Sequence, residues 1–194
     1  MSINVVVIIN NVMENRYHLK LQLPVKFIPK PLAFDVGMNF AHVRYDPSEV
    51  NQDLIDFLKG LGVSIYGVEV FGRSPTTLNG IHLDGSRFTN DTKINFVFGQ
   101  GDMDWYELKK NGKLIHGMTR NNTPYLNAKD VDCNKVWTAN IDGSGSLVNV
   151  GGLHGLSNIT TDRWCYCLML GNIADNNKQL QWDNAIKLFK GYYV

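Results

Sequence analysis

Alternation of apolar and polar positions, the mark of a half-buried strand, runs through most of the chain. It is clearest in Thr92-Lys93-Ile94-Asn95-Phe96-Val97-Phe98. There Ile94, Phe96 and Phe98 share one face, and Lys93, Asn95 and Val97 the other. Further strands are predicted over residues 5–9, 17–23, 39–45, 63–71, 103–108, 113–116, 135–141, 146–150 and 164–170. Between 103–108 and 113–116 lies Lys109-Lys110-Asn111-Gly112-Lys113, an Asn-Gly turn of the hairpin kind. Helical spacing is confined to two places. In 47–60, Val50, Leu54, Phe57 and Leu58 form one apolar face, Asp46 or Pro47 starts the helix and Gly60 stops it. In the tail, 177–190, Leu180, Ala185, Ile186 and Phe189 are the anchors of a final helix.

Short strands at close intervals, separated by Gly, Asn, Asp and Pro, predict an antiparallel sandwich or barrel rather than βαβ units. No repeat, low-complexity tract or linker divides the chain, so one domain is expected over 1–194. Its core spans about 63–170, with an extended and helical support at 1–62 and the terminal helix at about 177–190. Residues 118–135, rich in Asn and Asp, read as a long loop: a substrate lid or a disordered connection.

Composition adds little to this: 44% apolar and 19% charged residues with a net charge of +1 describe an ordinary globular protein. The balance does not favour bare nucleic acid as a partner. The apolar run at 3–9 is short and has no basic region before it, so neither a signal peptide nor a membrane span is expected. Of three cysteines, Cys165 and Cys167 form a C-x-C pair whose side chains fall on one strand face. Buried reduced thiols in an intracellular protein are the expectation.

Candidate chemistry centres on His82-Leu83-Asp84. A His-x-Asp triplet arises readily by chance; two residues further along the chain lend it weight. His154 comes 72 positions after His82, behind Gly151-Gly152, which gives its approach flexibility, and Arg163 nine positions after that. Two imidazoles and a carboxylate suit a divalent iron that keeps open positions, though such donors also suit zinc or manganese. Arg163 opens an otherwise apolar strand, on the face of Cys165, Cys167 and Met169. A guanidinium there either snorkels to solvent or clamps a small carboxylate.

The order His82-Leu83-Asp84, His154, Arg163 resembles the iron(II)- and 2-oxoglutarate-dependent dioxygenases. So do Lys93-Ile94-Asn95-Phe96-Val97-Phe98, Trp105-Tyr106-Glu107 and Leu147–Asn158, which look like the small phage and marine-bacterial members related to prolyl and aspartyl/asparaginyl hydroxylases. The resemblance covers about residues 75–170; residues 1–70 and the tail match no family pattern. It implies a mainly β fold, the double-stranded β-helix or jelly roll, with a few flanking helices. His82 and Asp84 would then lie at the end of the second core strand, His154 near the seventh and Arg163 on the eighth. It implies iron(II) held by His82, Asp84 and His154, with 2-oxoglutarate and O2 as co-substrates and Arg163 on the far carboxylate. The implied reaction is hydroxylation of a C–H bond in a peptide side chain, a free amino acid or another small metabolite, with succinate formed. It also implies an intracellular, virus-encoded setting.

Around this set stand secondary candidates. Asn95 reaches the co-substrate if its face lines the barrel; on an outer face it is an ordinary surface polar group. Arg87 is a second anchor for co-substrate or substrate, or a surface loop residue. Trp105 and Tyr106 pack or wall the site, and Asn158 holds the turn after His154. His116 reads as a surface or hairpin histidine. His18 and His42 lack neighbours that would make them ligands. Two other classes compete: a non-catalytic jelly-roll binding or structural protein, and a cupin-like metalloenzyme that does not use 2-oxoglutarate, such as an isomerase.

Overall fold

The computed structural model describes residues 16–30, 40–75, 80–119 and 122–194; the strand expected at 5–9 lies outside them. Two antiparallel sheets face each other. The larger has the order β1 (His18–Lys20), β10 (Ser146–Asn149), β5 (Thr92–Phe98), β12 (Arg163–Asn172), β3 (Val63–Arg73), β2 (Phe40–Tyr45), with β13 (Lys178–Gln179) added to β12. The smaller has the order β7 (Leu114–Met118), β8 (Pro124–Ala128), β4 (Ile81–Leu83), β11 (Leu153–Ser157), β6 (Asp102–Leu108), β9 (Cys133–Asn140).

Strands β3, β4, β5 and β6 pass alternately from the larger sheet to the smaller. After β9 joins the edge of β6, β10, β11 and β12 alternate again. This winding is that of a double-stranded β-helix, a jelly roll. The β7–β8 hairpin extends the smaller sheet beyond β4, and β1 and β2 widen the larger one.

Both faces of the larger sheet are covered. Its outer face, including Ile94, Phe96, Tyr166 and Leu168, packs under the two helices α1 (Gln52–Gly60) and α2 (Trp182–Leu188). Leu54 and Leu58 of α1 and Phe189 after α2 are fully buried there. The inner face carries Val97, Val148, Cys165 and Cys167, which meet Met103 and Trp105 of the smaller sheet inside the barrel. β5 is buried at six of its seven positions, so its alternation separates two buried faces rather than a buried face from a solvent face.

Four local readings are revised. The helix expected over 47–60 is split into a 3-10 turn, Pro47–Glu49, and α1. Asp46 and Glu49 close a capping box on the first piece, and Val50 and Asn51 are extended. The Asn51 amide is engaged by Lys26 O and Ile28 N instead of by the helix. The Asn111-Gly112 turn does not join β6 to β7 as a hairpin: β6 pairs with β9 and β11, and β7 with β8. A two-residue type I′ loop needs positive φ at both central residues, and neither Asn111 nor Gly112 has it. The stretch 118–135 is not one long loop, since it holds β8 and the 3-10 turn Asp130–Asp132. The final helix begins at Trp182 because Asn176 and Asn177 adopt left-handed conformations and the chain then pairs with β12 as β13. Among the described residues, no helix is long and apolar enough to cross a membrane.

Candidate metal centre

Alternation on two short strands sets the site. Ile81 and Leu83 of β4 and Leu153 of β11 turn outward into a small apolar cluster with Leu126 and Cys133. His82 and His154, between and beside them, therefore turn into the barrel. The two strands pair so that His154 lies directly opposite His82, with ring centroids 4.5 Å apart. Asp84 comes after β4 at the bend before Gly85, whose φ is +106°.

His82 Nδ1 lies 3.2 Å from the carbonyl of Gly80, and His154 Nδ1 lies 2.9 Å from the carbonyl of Gly152. A carbonyl only accepts, so each Nδ1 carries a proton, which is the tautomer that, in a neutral ring, offers the Nε2 lone pair to a metal. Both Nε2 atoms face Asp84 Oδ1, at 3.6 Å from His82 and 3.9 Å from His154. The donor atoms of the three residues lie within 4.8 Å of one another. The residues thus fit a divalent ion: two imidazoles that turn Nε2 toward the site and one carboxylate oxygen, converging from one side.

Asp84 is 37% exposed at its side chain. Burial opposes its charge, but Lys93, His154 and His82 together hold its carboxyl well below the usual carboxylate range. Burial, and the neighbouring His82 second, pull His154 down to about 4, so it stays neutral at ordinary pH. Lys93 Nζ donates to Asp84 Oδ2 at 2.8 Å and lies 3.6 Å from Glu69 Oε2. Glu69 Oε1 in turn accepts from Arg44 Nε and Nη2 at 3.0 and 2.9 Å. His82, Asp84, Lys93, Glu69 and Arg44 all line one open cavity of about 980 Å³, walled across from them by Met118, Pro124 and Tyr125 of the β7–β8 hairpin.

Arg163 begins β12 and is 1% exposed, inside the barrel. Its Nε and Nη2 have no hydrogen-bond partner among the described residues, and neither does Oδ1 of Asn95, which is 4% exposed. Cys165 and Cys167 stand beside them with sulfurs 3.5 Å apart. The hydrogen bond from Cys167 lowers the Cys165 thiol against burial, aided by the charges of Arg163 and Lys93. The β5–β6 turn is shaped around Arg163. Gly99 and Gly101 have φ of +97° and +147°, and a Cβ on Gly99 would meet Asp162 O at 2.1 Å. Neither Arg163 nor Asn95 lines the open cavity.

Arg87 is exposed and outside the cavity. Trp105 is fully buried and donates from its indole to Asn149 O, which is a packing role; Tyr106 points to Asp104. Asn158 holds its turn in a left-handed conformation while donating to Asp102. His116 is exposed on β7. His18 meets Ser146 Oγ and His42 stacks on Phe71. His82, Asp84 and His154 form the one metal-capable group among the described residues. Gly151 is explained by crowding: a Cβ there would meet Thr89 O at 2.3 Å. The sequence reading missed the site roles of Lys93, Glu69 and Arg44. The signal for Lys93 was a charge on the inward face of a doubly buried strand, the face assigned to Asn95.

No family model matches the chain, and no curated protein does. Among solved structures, it is similar to the vicilin from Corylus avellana (hazelnut), with TM-score 0.35 and 12% identity over 75% of this chain and 31% of that one. It is also similar to the vicilin from Capsicum annuum, with TM-score 0.28 and 16% identity over 79% and 33%. The chain thus spans about a third of the length of the vicilins it matches. Likeness at this level carries no argument about activity; the fold rests on the strand order.

Proposed function

We propose that the protein is an iron(II)- and 2-oxoglutarate-dependent oxygenase that hydroxylates a C–H bond. The observation that carries this reading is a buried guanidinium with two donors unpartnered among the described residues, in the same barrel as a two-histidine, one-carboxylate cluster. A buried charge left unpaired is costly, so Arg163 calls for an anion. A dicarboxylate whose far end meets Arg163 would meet that need.

His82, Asp84 and His154 would hold the iron. The chemistry the metal supplies when bound is oxygen activation, coupled as 2-oxoglutarate + O2 + R–H → succinate + CO2 + R–OH. The chain's share is positional. Gly80 and Gly152 carbonyls fix the ring tautomers, Arg163 orients the dicarboxylate, and the cavity beside β7–β8 admits the substrate, a peptide side chain or small metabolite. Cys133, Cys165 and Cys167 are free and buried, which fits work in a reducing compartment.

A cupin-like metalloenzyme without 2-oxoglutarate is the second reading. It is favoured by the cavity, which reaches His82 and Asp84 but not Arg163. Anaerobic titration with iron(II) and then 2-oxoglutarate separates the two. The visible charge-transfer band of the chelate is expected in the wild type and absent in Asp84→Ala. No band in the wild type at saturation of both would refute the oxygenase.

A further inference from the structure

Each histidine ligand is anchored from behind through its second nitrogen, His82 by Gly80 and His154 by Gly152. Asp84 has no such backbone partner among the described residues. It sits past the end of a three-residue strand, partly open to the cavity. Among the described residues, its one side-chain hydrogen bond comes from Lys93, at 2.8 Å.

Lys93 is built for that contact. It stands on β5 of the opposite sheet, only 11% exposed, and spans the barrel with its alkyl stem. Glu69, buried on β3, stands behind it with one oxygen toward Nζ and the other held by Arg44. The charges alternate from the cavity wall inward: Arg44, Glu69, Lys93, Asp84. Glu69, 3.6 Å from the ammonium and shared with Arg44, offsets part of its charge beside the cation site. The two oxygens of Asp84 are also divided: Oδ1 faces both imidazoles and Oδ2 faces Lys93.

We propose that Lys93 is the positioning residue of the metal centre. It holds Oδ2 of Asp84 so that Oδ1 alone is offered to the ion, and Glu69 with Arg44 holds Lys93 in turn. Single-oxygen ligation leaves more of the coordination sphere open to exchangeable ligands than a two-oxygen carboxylate would. The inference rests on the metal centre proposed above and is independent of 2-oxoglutarate.

The test is anaerobic titration of the full chain with cobalt(II), following its visible absorption, in wild type, Lys93→Met and Lys93→Arg. Loss of a group that orients a ligand lowers metal affinity about 10–100-fold. Lys93→Met should show that loss together with a changed band shape, as the carboxylate swings out or takes the ion with both oxygens. Lys93→Arg, which keeps a charged donor, should restore most of the affinity and the wild-type band. Should Lys93→Met not fold, Lys93→Gln, uncharged and one bond shorter, carries the same expectation. Wild-type affinity and spectrum in the Met or Gln variant, or tighter binding, would overturn the role of Lys93. No stoichiometric cobalt binding by the wild type would instead overturn the metal centre itself.

Discussion

Replacing Arg163 by methionine should stabilise the protein and remove most of its response to 2-oxoglutarate. The side chain is 1% exposed, and two of its nitrogens lack partners among the described residues. Each buried donor left without an acceptor costs about 1–3 kcal/mol, and exchanging a poorly compensated buried charge for an apolar side chain is worth about 1–4 kcal/mol. Against this stands the contact with the Cys165 thiol, worth no more than an ordinary hydrogen bond. A net gain of about 1–3 kcal/mol remains, at about 2–4 °C per kcal/mol for a chain of this size. Thermal melts monitored by circular dichroism read that gain directly. The same melts with manganese(II) and 2-oxoglutarate read the anchor. At a hundred times its dissociation constant, a ligand adds about 2.7 kcal/mol to the wild type. Losing two charge-assisted hydrogen bonds of about 1.5–3 kcal/mol each weakens binding about 100-fold or more, which removes most of that shift. A variant that melts below the wild type and still responds fully to 2-oxoglutarate would show that the guanidinium is satisfied internally and that it anchors no anion.

Two further outcomes are expected. Gly99→Ala places a Cβ 2.1 Å from Asp162 O at φ +97°, so it should cost about 1–3 kcal/mol or more from backbone strain, seen as a lower urea midpoint; an unchanged midpoint would mean the turn around Arg163 is not tightly built. Burial, and Lys20 second, hold the His18 imidazole down to about 4 against Asp142. Since the unfolded value is about 6.5, the neutral ring's contribution is fully present above about pH 6.5 and is lost as pH falls toward 4. His18→Gln should flatten the stability profile over that window, and an equally steep acid loss in the variant would assign it to other groups.

The strands legible in the sequence were those with enough period-2 signal: β5 was expected with the ends it has, and β12 with its correct faces. His82, Asp84 and His154 were singled out by their order along the chain with Arg163, and the fold brings the three together. Strand β8 was not: Pro-Tyr-Leu-Asn-Ala carries a proline and an asparagine, and its only claim to be a strand comes from neighbours at β4 and β7. Pairing partners distant in sequence also defeated the Asn-Gly reading. Lys93 was hidden for a related reason, since its meaning depends on Glu69 and Asp84 arriving from other strands.

The meeting of β4 and β11 at the single registered pair His82–His154 has a consequence for how the site comes into being. Side chains alternate with period 2, so a slip of β11 by one residue would turn Leu153 inward and His154 outward. What prevents the slip is the five-residue register of β11 against β6 on its other side. The ligand set is therefore written in the hydrogen-bond ladder two strands away from β4: a chain that has folded but mispaired there would keep its sheets and lose its donors. Correct assembly of the barrel and possession of the site are one and the same event.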